Sequence, residues 1–590
     1  MIELMRILLR NRWQRLMRRP FCRLAAHFGQ RLFSSGDDAG EGELSLGVGA
    51  VLALLATPGM FITLFLFDKY SSLIRFFRGG GPFDPYAQSL PDQYFFFTFS
   101  MVITGIVAAL KWDSIFPDRR DYMNLAPLPI PTRNIFLANI IAIIVVAVFF
   151  AIDVNSVSAV FFPLLVNMEQ GTFHSYLSFM GIHVLGVLLC SLFVFFALFA
   201  LIGTLMAILP SHIFRKLSLY LRIGVVVTML ALLCTSFAVP GLLRESVASH
   251  SRLLLWLPPV WFLGLVRSLI GKADPHLIQL GAFGIRMMLA TTAVATVVYV
   301  ISYYRYFIRI PETLDVTIRK REPRKLLPPW LLDRVLLHSP FERACYRFTI
   351  KTLLRNERQS LLLGAFVGLG LVLASQTLVS TFNQKAAQDA VPSAEILSLP
   401  LILAYFVICG LRFVFELPAE LSANWAPRVI VDREKHQAAP VARKVTLSLV
   451  WPWVLLVGLP AYAWFWGWPL AVGHVAVVMV WSYCLADFLL RRFRKIAFTC
   501  AYAPWKQNAT VVIIFYAMGA VAFTSGTAGL EHNLLLQSPI YLWIMALAGL
   551  GAWKLLAKLR EDEFDPTDLI FEDAPPPAVE LLDLSGRLSR

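Results

Sequence analysis

Long charge-free stretches alternate with short basic ones along this chain. Ile135–Ile152, Leu185–Pro210 and Val511–Leu530 contain no Asp, Glu, Lys or Arg. A bilayer core is about 30 Å thick and needs roughly 20 apolar residues in a helix to cross it. A helix also satisfies every backbone polar group internally, as lipid demands. The pattern predicts an all-α, polytopic transmembrane bundle of about twelve spans: Leu46–Phe67, Tyr94–Leu110, Asn134–Ile152, Leu177–Ile208, Leu219–Leu243, Leu277–Tyr304, Ser360–Phe382, Ala394–Leu411, Thr446–Trp466, Leu470–Leu490, Asn508–Thr527 and Gln537–Trp553.

Charge orients these spans. With the N-terminus inside, 44 lysines and arginines fall in the cytoplasmic segments or at their mouths, and eight fall outside. Arg286 lies within the sixth run. Cationic loops stay in the cytoplasm, so the expected orientation puts both termini there. The net charge of +15 is then a membrane signature. No basic stretch interleaved with stacking aromatics points to nucleic acid.

The spans group into two sets of six. Residues 1–308 read as a first half opened by a basic amphipathic helix, Ile2–Arg19, with Met5, Leu9, Trp13 and Leu16 on one face, suited to a lipid surface. Residues 309–358 read as a basic cytoplasmic linker ending in a second amphipathic segment, Phe341–Arg358. Residues 359–557 form the second half, and 558–590 an acidic tail with Pro575-Pro576-Pro577. Two loops suggest an internal repeat. Trp112 precedes Ala126-Pro127 by 14 residues, Trp425 precedes Ala439-Pro440 by 14, and Asp118-Arg119 and Asp432-Arg433 lie between these marks. Six spans per half make the repeat parallel.

Hydrophobic residues make up 57% of the chain and charged residues 15%, against about 25% charged in soluble domains. The seven cysteines show no C-x-x-C or Cys/His spacing, so neither a metal site nor a cofactor is expected. No G-x-x-x-x-G-K-[ST] occurs, so ATP hydrolysis by a P-loop is not expected of this chain. No Ser/His/Asp set or H-E-x-x-H points to an enzyme. Intramembrane charge is scarce. Arg286 is expected to snorkel at an interface, Asp487 to pair with Arg491 one turn on, and His183 to be structural. This scarcity argues against a proton-coupled carrier, which needs buried titratable relays.

The loop after the second span is the most informative stretch. It runs Trp112-Asp113-Ser114-Ile115-Phe116-Pro117-Asp118-Arg119-Arg120-Asp121-Tyr122, then a Pro-rich passage, then Ile130-Pro131-Thr132-Arg133 at the mouth of span three. It resembles the coupling segment of type-2 ABC exporter permeases. Leu257-Pro258-Pro259-Val260-Trp261, continuing through Arg267 to Gly271, resembles the outward-facing re-entrant segment of the same family. The alternative for that segment is an interfacial amphipathic helix. The resemblance implies a permease subunit moving a hydrophobic or amphipathic substrate, with a path between the halves. It also implies ATP-binding subunits on separate chains, docked at Asp118, Arg119, Arg120 and Asp121 and at Asp432, Arg433, Glu434 and Lys435. It implies a re-entrant element at Pro258, Pro259, Trp261 and Arg267. The second half departs from the family, since only Ala528–Leu536 separates its last two spans.

Two rivals stand beside it. A carrier of the major facilitator kind needs a G-x-x-x-D-R-x-G-R/K element in the loop after span two, and here Asp118-Arg119 lacks the glycines. A membrane scaffold or intramembrane enzyme needs polar residues facing one another in the lipid zone, and the sequence offers no obvious cluster.

Overall fold

The computed structural model describes residues 59, 62–71, 74, 84–111, 132–168, 172–248, 252–271, 274–309, 337, 339–383, 392–419, 424, 438–491, 493, 495–499 and 505–563. Among these residues helix is the only regular secondary structure, and nine helices are long and apolar enough to cross a membrane. The chain is an all-α, multi-pass membrane protein. It divides into two compact units. Among the described residues one holds those up to 309 and the other those from 337 to 563, so the division falls inside the basic linker. The helix read at Ile2–Arg19 and the tail beyond Glu563 lie outside the described residues.

In the first unit a helical stretch at 62–70 precedes α1 (Pro85–Leu110), α2 (Thr132–Asn167), α3 (Phe173–Ile208) and α4 (Ser211–Ala248). A single 3-10 turn (Arg252–Trp256) then leads to α5 (Pro258–Ile270) and α6 (Pro275–Arg309). The hub is α1, which touches α2, α3, α4 and α5. Its apolar window is 72% buried, against 17% for α6, so α6 packs at the margin of this unit. The start of α1 is set locally. Asp84 caps it by accepting the Tyr86 N–H at 3.0 Å, and Pro85 takes the first helical position, where a missing N–H costs nothing.

Several helices outrun their apolar cores. α2 continues 15 residues past Ile152, through Asp153, Asn155, Ser156 and Ser158. These polar residues end the hydrophobic run but not the helix, because their side chains bond back to it. Asn155 Nδ2 donates to the Ala151 carbonyl at 2.7 Å, Ser156 to Asp153 at 2.8 Å and Ser158 to Asn155 at 3.1 Å.

The second unit contains α7 (Pro340–Arg355), α8 (Glu357–Asn383), α9 (Ala394–Val414), α10 (Ala438–Trp466), α11 (Trp468–Leu489), α12 and α13 (Tyr541–Glu563). α12 runs Trp505–Val521, then through a π turn at Ala522–Gly526 into Thr527–Gln537. α10 carries a π turn of its own at Val454–Gly458. Here α9 is the hub, touching α8, α10, α11 and α12, with a window 67% buried against 22% for α8. Gly467 joins α10 directly to α11 at φ 83°, a left-handed conformation that a side chain would resist.

α7 is the amphipathic segment expected at Phe341–Arg358, shortened at its C-terminus. Ser339 and Glu342 form a reciprocal capping box with Pro340 at the first turn, and Asn356 ends the helix. Its apolar face packs on α10, where Tyr346 and Ser448 share a hydrogen bond of 3.0 Å and Lys444 pairs with Glu342 at 2.6 Å. The Ala528–Leu536 stretch, read as an external loop, is helical. The π turn lets α12 continue without breaking its backbone hydrogen bonding.

Candidate functional site

α5 holds the residues that the sequence marks as a re-entrant element. Pro258 and Pro259 open it, and Leu257 N-caps it without a side-chain bond. Its residues from Pro259 to Gly264, with Val266 and Arg267, are buried, and it packs on α1, α3 and α6. That burial on several sides differs from an interfacial helix, which keeps one face in water. Trp261 meets Phe193 and Phe283 edge-on at ring-centroid distances of 5.6 and 5.0 Å, and its indole N–H donates to the Leu255 carbonyl at 3.2 Å. The approach to α6 is backbone to backbone. A Cβ on Gly264 would stand 2.2 Å from the Leu277 carbonyl oxygen, and one on Gly281 2.7 Å from the Leu265 nitrogen. Only glycine permits this contact.

Arg267 is 3% exposed. Its guanidinium donates to the Tyr86 carbonyl at 2.7 Å and to Ser89 Oγ at 2.9 Å, both at the polar start of α1. One turn further along α1, Asp92 accepts from Lys69 Nζ at 2.6 Å and from the Tyr70 hydroxyl at 2.5 Å. Tyr86 in turn donates to Asn167 Oδ1 at 2.6 Å. The start of α1, α5 and the end of α2 are thus tied by polar bonds that burial within the protein strengthens relative to water.

Deeper in this unit a second polar set links three helices. Ser100 of α1 and Ser191 of α3 lie 2.6 Å apart, Thr104 donates to Ser191 at 3.1 Å, and Asn155 of α2 donates to Ser100 at 3.0 Å. This arrangement glues membrane helices together. His183 is fully buried among Phe96, Phe97 and Phe162, and neither ring nitrogen has a hydrogen-bond partner among the described residues. Arg286 is exposed, and among the described residues its side chain reaches the Ala282 carbonyl and the Phe283 ring of its own helix.

The second unit holds what the sequence reading missed. His474 of α11 and Glu531 of α12 are both fully buried, with Nδ1 and Oε1 2.7 Å apart. The Tyr462 ring of α10 lies 4.6 Å from the imidazole, and the Tyr462 hydroxyl donates to the Ile396 carbonyl at 2.7 Å. His474 sits inside the tenth apolar run, and Glu531 in a stretch assigned to a loop. The available signal was an ionisable residue within a span, but its partner became visible only once the loop proved to be helix. The scarcity of buried titratable groups inferred from sequence is corrected by this pair, and polar residues do face one another within the apolar spans of both units.

At the other end of α11, Asp487 is buried and meets Arg443 of α10 across the helix interface, with the Arg443 guanidinium also 5.6 Å from the Tyr483 ring. Asp487 was expected to pair with Arg491 along its own helix. Helix packing supplies Arg443 as a partner from the neighbouring helix. Glu416, 3% exposed, lies between Arg412 and Lys495. Asn424 donates to the Thr499 carbonyl, fastening together the loops that follow α9 and α11. The eight residues expected to dock ATPase subunits, Asp118 to Asp121 and Asp432 to Lys435, lie outside the described residues.

Among the described residues no His/Cys/Asp/Glu group of three or more is placed to hold a metal. Cys190, Cys234, Cys345, Cys409 and Cys484 carry free thiols. Fold and site together define a multi-pass helical membrane protein with polar links buried inside each unit. The chain matches no family model, no curated protein and no solved structure.

Proposed function

We propose that the chain is the permease subunit of an ABC-type exporter. It moves a hydrophobic or amphipathic substrate across the cytoplasmic membrane, with ATP hydrolysed by separate subunits. In this reading twelve spans form two parallel six-span halves with both termini in the cytoplasm. The observation that carries it is α5, a 13-residue helix between two long apolar helices. It is too short to cross a bilayer and is packed against α1, α3 and α6. Thr527–Gln537 stands at the corresponding point of the second half. The ion pairs of Glu416 and Asp487, with the Asn424 link, brace the ends of α9 and α11, and Asp432, Arg433, Glu434 and Lys435 follow α9 in the sequence. A carrier driven by an ion gradient is the second reading, favoured by the buried His474–Glu531 pair.

Co-purification from native membranes separates the two. The tagged chain is expected to retain a nucleotide-hydrolysing chain. Asp118→Arg with Arg119→Glu, or Asp432→Arg with Arg433→Glu, is expected to release it, since breaking a buried interfacial charge pair costs about 2–5 kcal/mol. Absence of any hydrolysing partner, or ATPase activity in the chain alone, sinks the permease reading. Topology is checked with an impermeant thiol reagent. Gly171→Cys and Ser538→Cys are expected to react from outside, and Asn124→Cys and Gln507→Cys are not.

A further inference from the structure

We infer that the outer face of α7 is a docking surface for anionic phospholipid headgroups of the leaflet at which α8 begins. This holds wherever α8 and α10 cross a bilayer, for which both are long and apolar enough, and does not depend on what the protein transports.

α7 has two faces, and the fold uses them in reverse of the usual arrangement. An interfacial helix turns its apolar stripe to lipid and its charges to water. Here the stripe of Cys345, Tyr346, Thr349 and Leu353 is buried inside the second unit. Ala344, Arg347, Phe348, Lys351, Leu354 and Arg355 are exposed. Steps of three and four residues bring them onto one face. Three of the six are basic and none is acidic. Glu342, the acidic residue of the helix, turns instead to Lys444 of α10 at 2.6 Å. Arg343, half-buried, turns to the Leu337 carbonyl at 3.3 Å. Just past the helix Glu357 and Arg358, both exposed, offset each other. The outward charge of α7 is therefore that of Arg347, Lys351 and Arg355.

The depth of this face follows from what α7 touches. Tyr346 shares a hydrogen bond of 3.0 Å with Ser448, which lies within the Thr446–Trp466 apolar run of α10. At the other end Asn356 closes α7 and α8 starts at Glu357. α7 thus lies where two apolar helices begin, which is the headgroup layer. Phe348 and Leu354, 43% and 48% exposed, stand among the basic residues. Water as the only neighbour would leave these apolar side chains uncovered. A phospholipid meets both needs. Its phosphate accepts hydrogen bonds from guanidinium and ammonium groups, and the acyl boundary beneath it receives Phe and Leu. A zwitterionic headgroup offers the same phosphate without net charge. Each Lys or Arg held near an anionic surface strengthens the attraction about five-fold, so the face selects anionic lipid.

The test places photoreactive benzoylphenylalanine at Phe348 of the full chain, in nanodiscs of mixed phosphatidylcholine and phosphatidylglycerol, and identifies the adducts by mass spectrometry. At low salt the adduct is expected to be lipid, with phosphatidylglycerol enriched several-fold over its share of the bilayer. Arg347→Gln with Lys351→Gln and Arg355→Gln is expected to bring the adducts to the bilayer's own ratio. If that variant does not fold, raising the salt gives the same reading with the basic face intact, because salt screens exposed charges and is expected to remove most of the enrichment. Adducts in bilayer proportion at low salt, no lipid adduct, or an enrichment that neither substitution nor salt lowers overturns the inference. So does a cross-link in native membranes to an acidic protein in place of lipid.

Discussion

Each unit buries a histidine near the start of a long apolar helix against an aromatic ring of the preceding span, and then treats it differently. In the first unit His183 of α3 rests on Phe162 of α2, with Phe96 and Phe97 of α1 completing an apolar seat. In the second, His474 of α11 rests on Tyr462 of α10, and Glu531 reaches it from Thr527–Gln537. The short helices differ in the same sense. α5 brings in the guanidinium of Arg267, which bonds to polar groups of α1, and Thr527–Gln537 brings in the carboxyl group of Glu531. α5 is locked to its neighbour by glycine contacts at backbone distance, whereas a Cβ added at Gly526 or Gly529 would meet no atom within 4 Å. One short helix is wedged in place. The other hangs from a π turn with open space beside its glycines and an ionisable pair at its contact. Similar positions thus serve rigid backbone packing in one unit and a buried side-chain hydrogen bond in the other.

The contrast is broken most sharply at the histidines. Glu531→Ala leaves His474 buried beside a lost partner, and is expected to cost about 3–5 kcal/mol, read as thermal unfolding of the purified chain in detergent. His183→Leu removes ring nitrogens that have no hydrogen-bond partner among the described residues from an apolar seat and is expected to be neutral or stabilising. Equal losses in both variants erase the distinction.

Glycine substitution sharpens it next. Gly264→Ala drives a methyl group into the Leu277 carbonyl, 2.2 Å away, and is expected to cost about 1–3 kcal/mol or more by overpacking. Gly529→Ala meets no atom within 4 Å and is expected to gain up to about 1 kcal/mol from helix propensity. Thermal shifts of opposite sign are the expected result, and shifts of the same sign count against the difference in fit.

The smallest effect concerns α7, whose docking belongs to the second unit. Burial against α10 pushes the Cys345 thiol up to about 11. Its thiolate fraction, and with it the rate of alkylation, is expected to keep rising about ten-fold per pH unit past pH 8.5 and to level off only near 11. Lys444→Ala removes the bond to Glu342 and is expected to raise the rate at pH 8 a few-fold. A plateau near pH 8.5 in wild type means that α7 leaves its seat readily.

The sequence by itself determined the class of molecule, because membrane burial acts on stretches of chain one at a time. A run of twenty apolar residues is costly in water whatever its neighbours do, so the long apolar helices could be read directly. The amphipathic α7 and the Pro-opened α5 were legible for the same reason, since caps, prolines and spacing act within a turn or two. What only the tertiary structure decided is which polar residues meet. Asp487 had a legible partner in Arg491 one turn away, yet packing of α10 on α11 brings Arg443 to it from 44 positions upstream. His474 and Glu531 are separated by 57 positions. A hydropathy reading assigned one to a span and the other to a loop, because it scores local apolarity and cannot register a helix that continues through a π turn. Contacts between buried ionisable groups depend on helix rotation and register, and those are fixed by the packing of whole helices, such as the glycine contacts of α5 with α6 and the burial of α1 and α9.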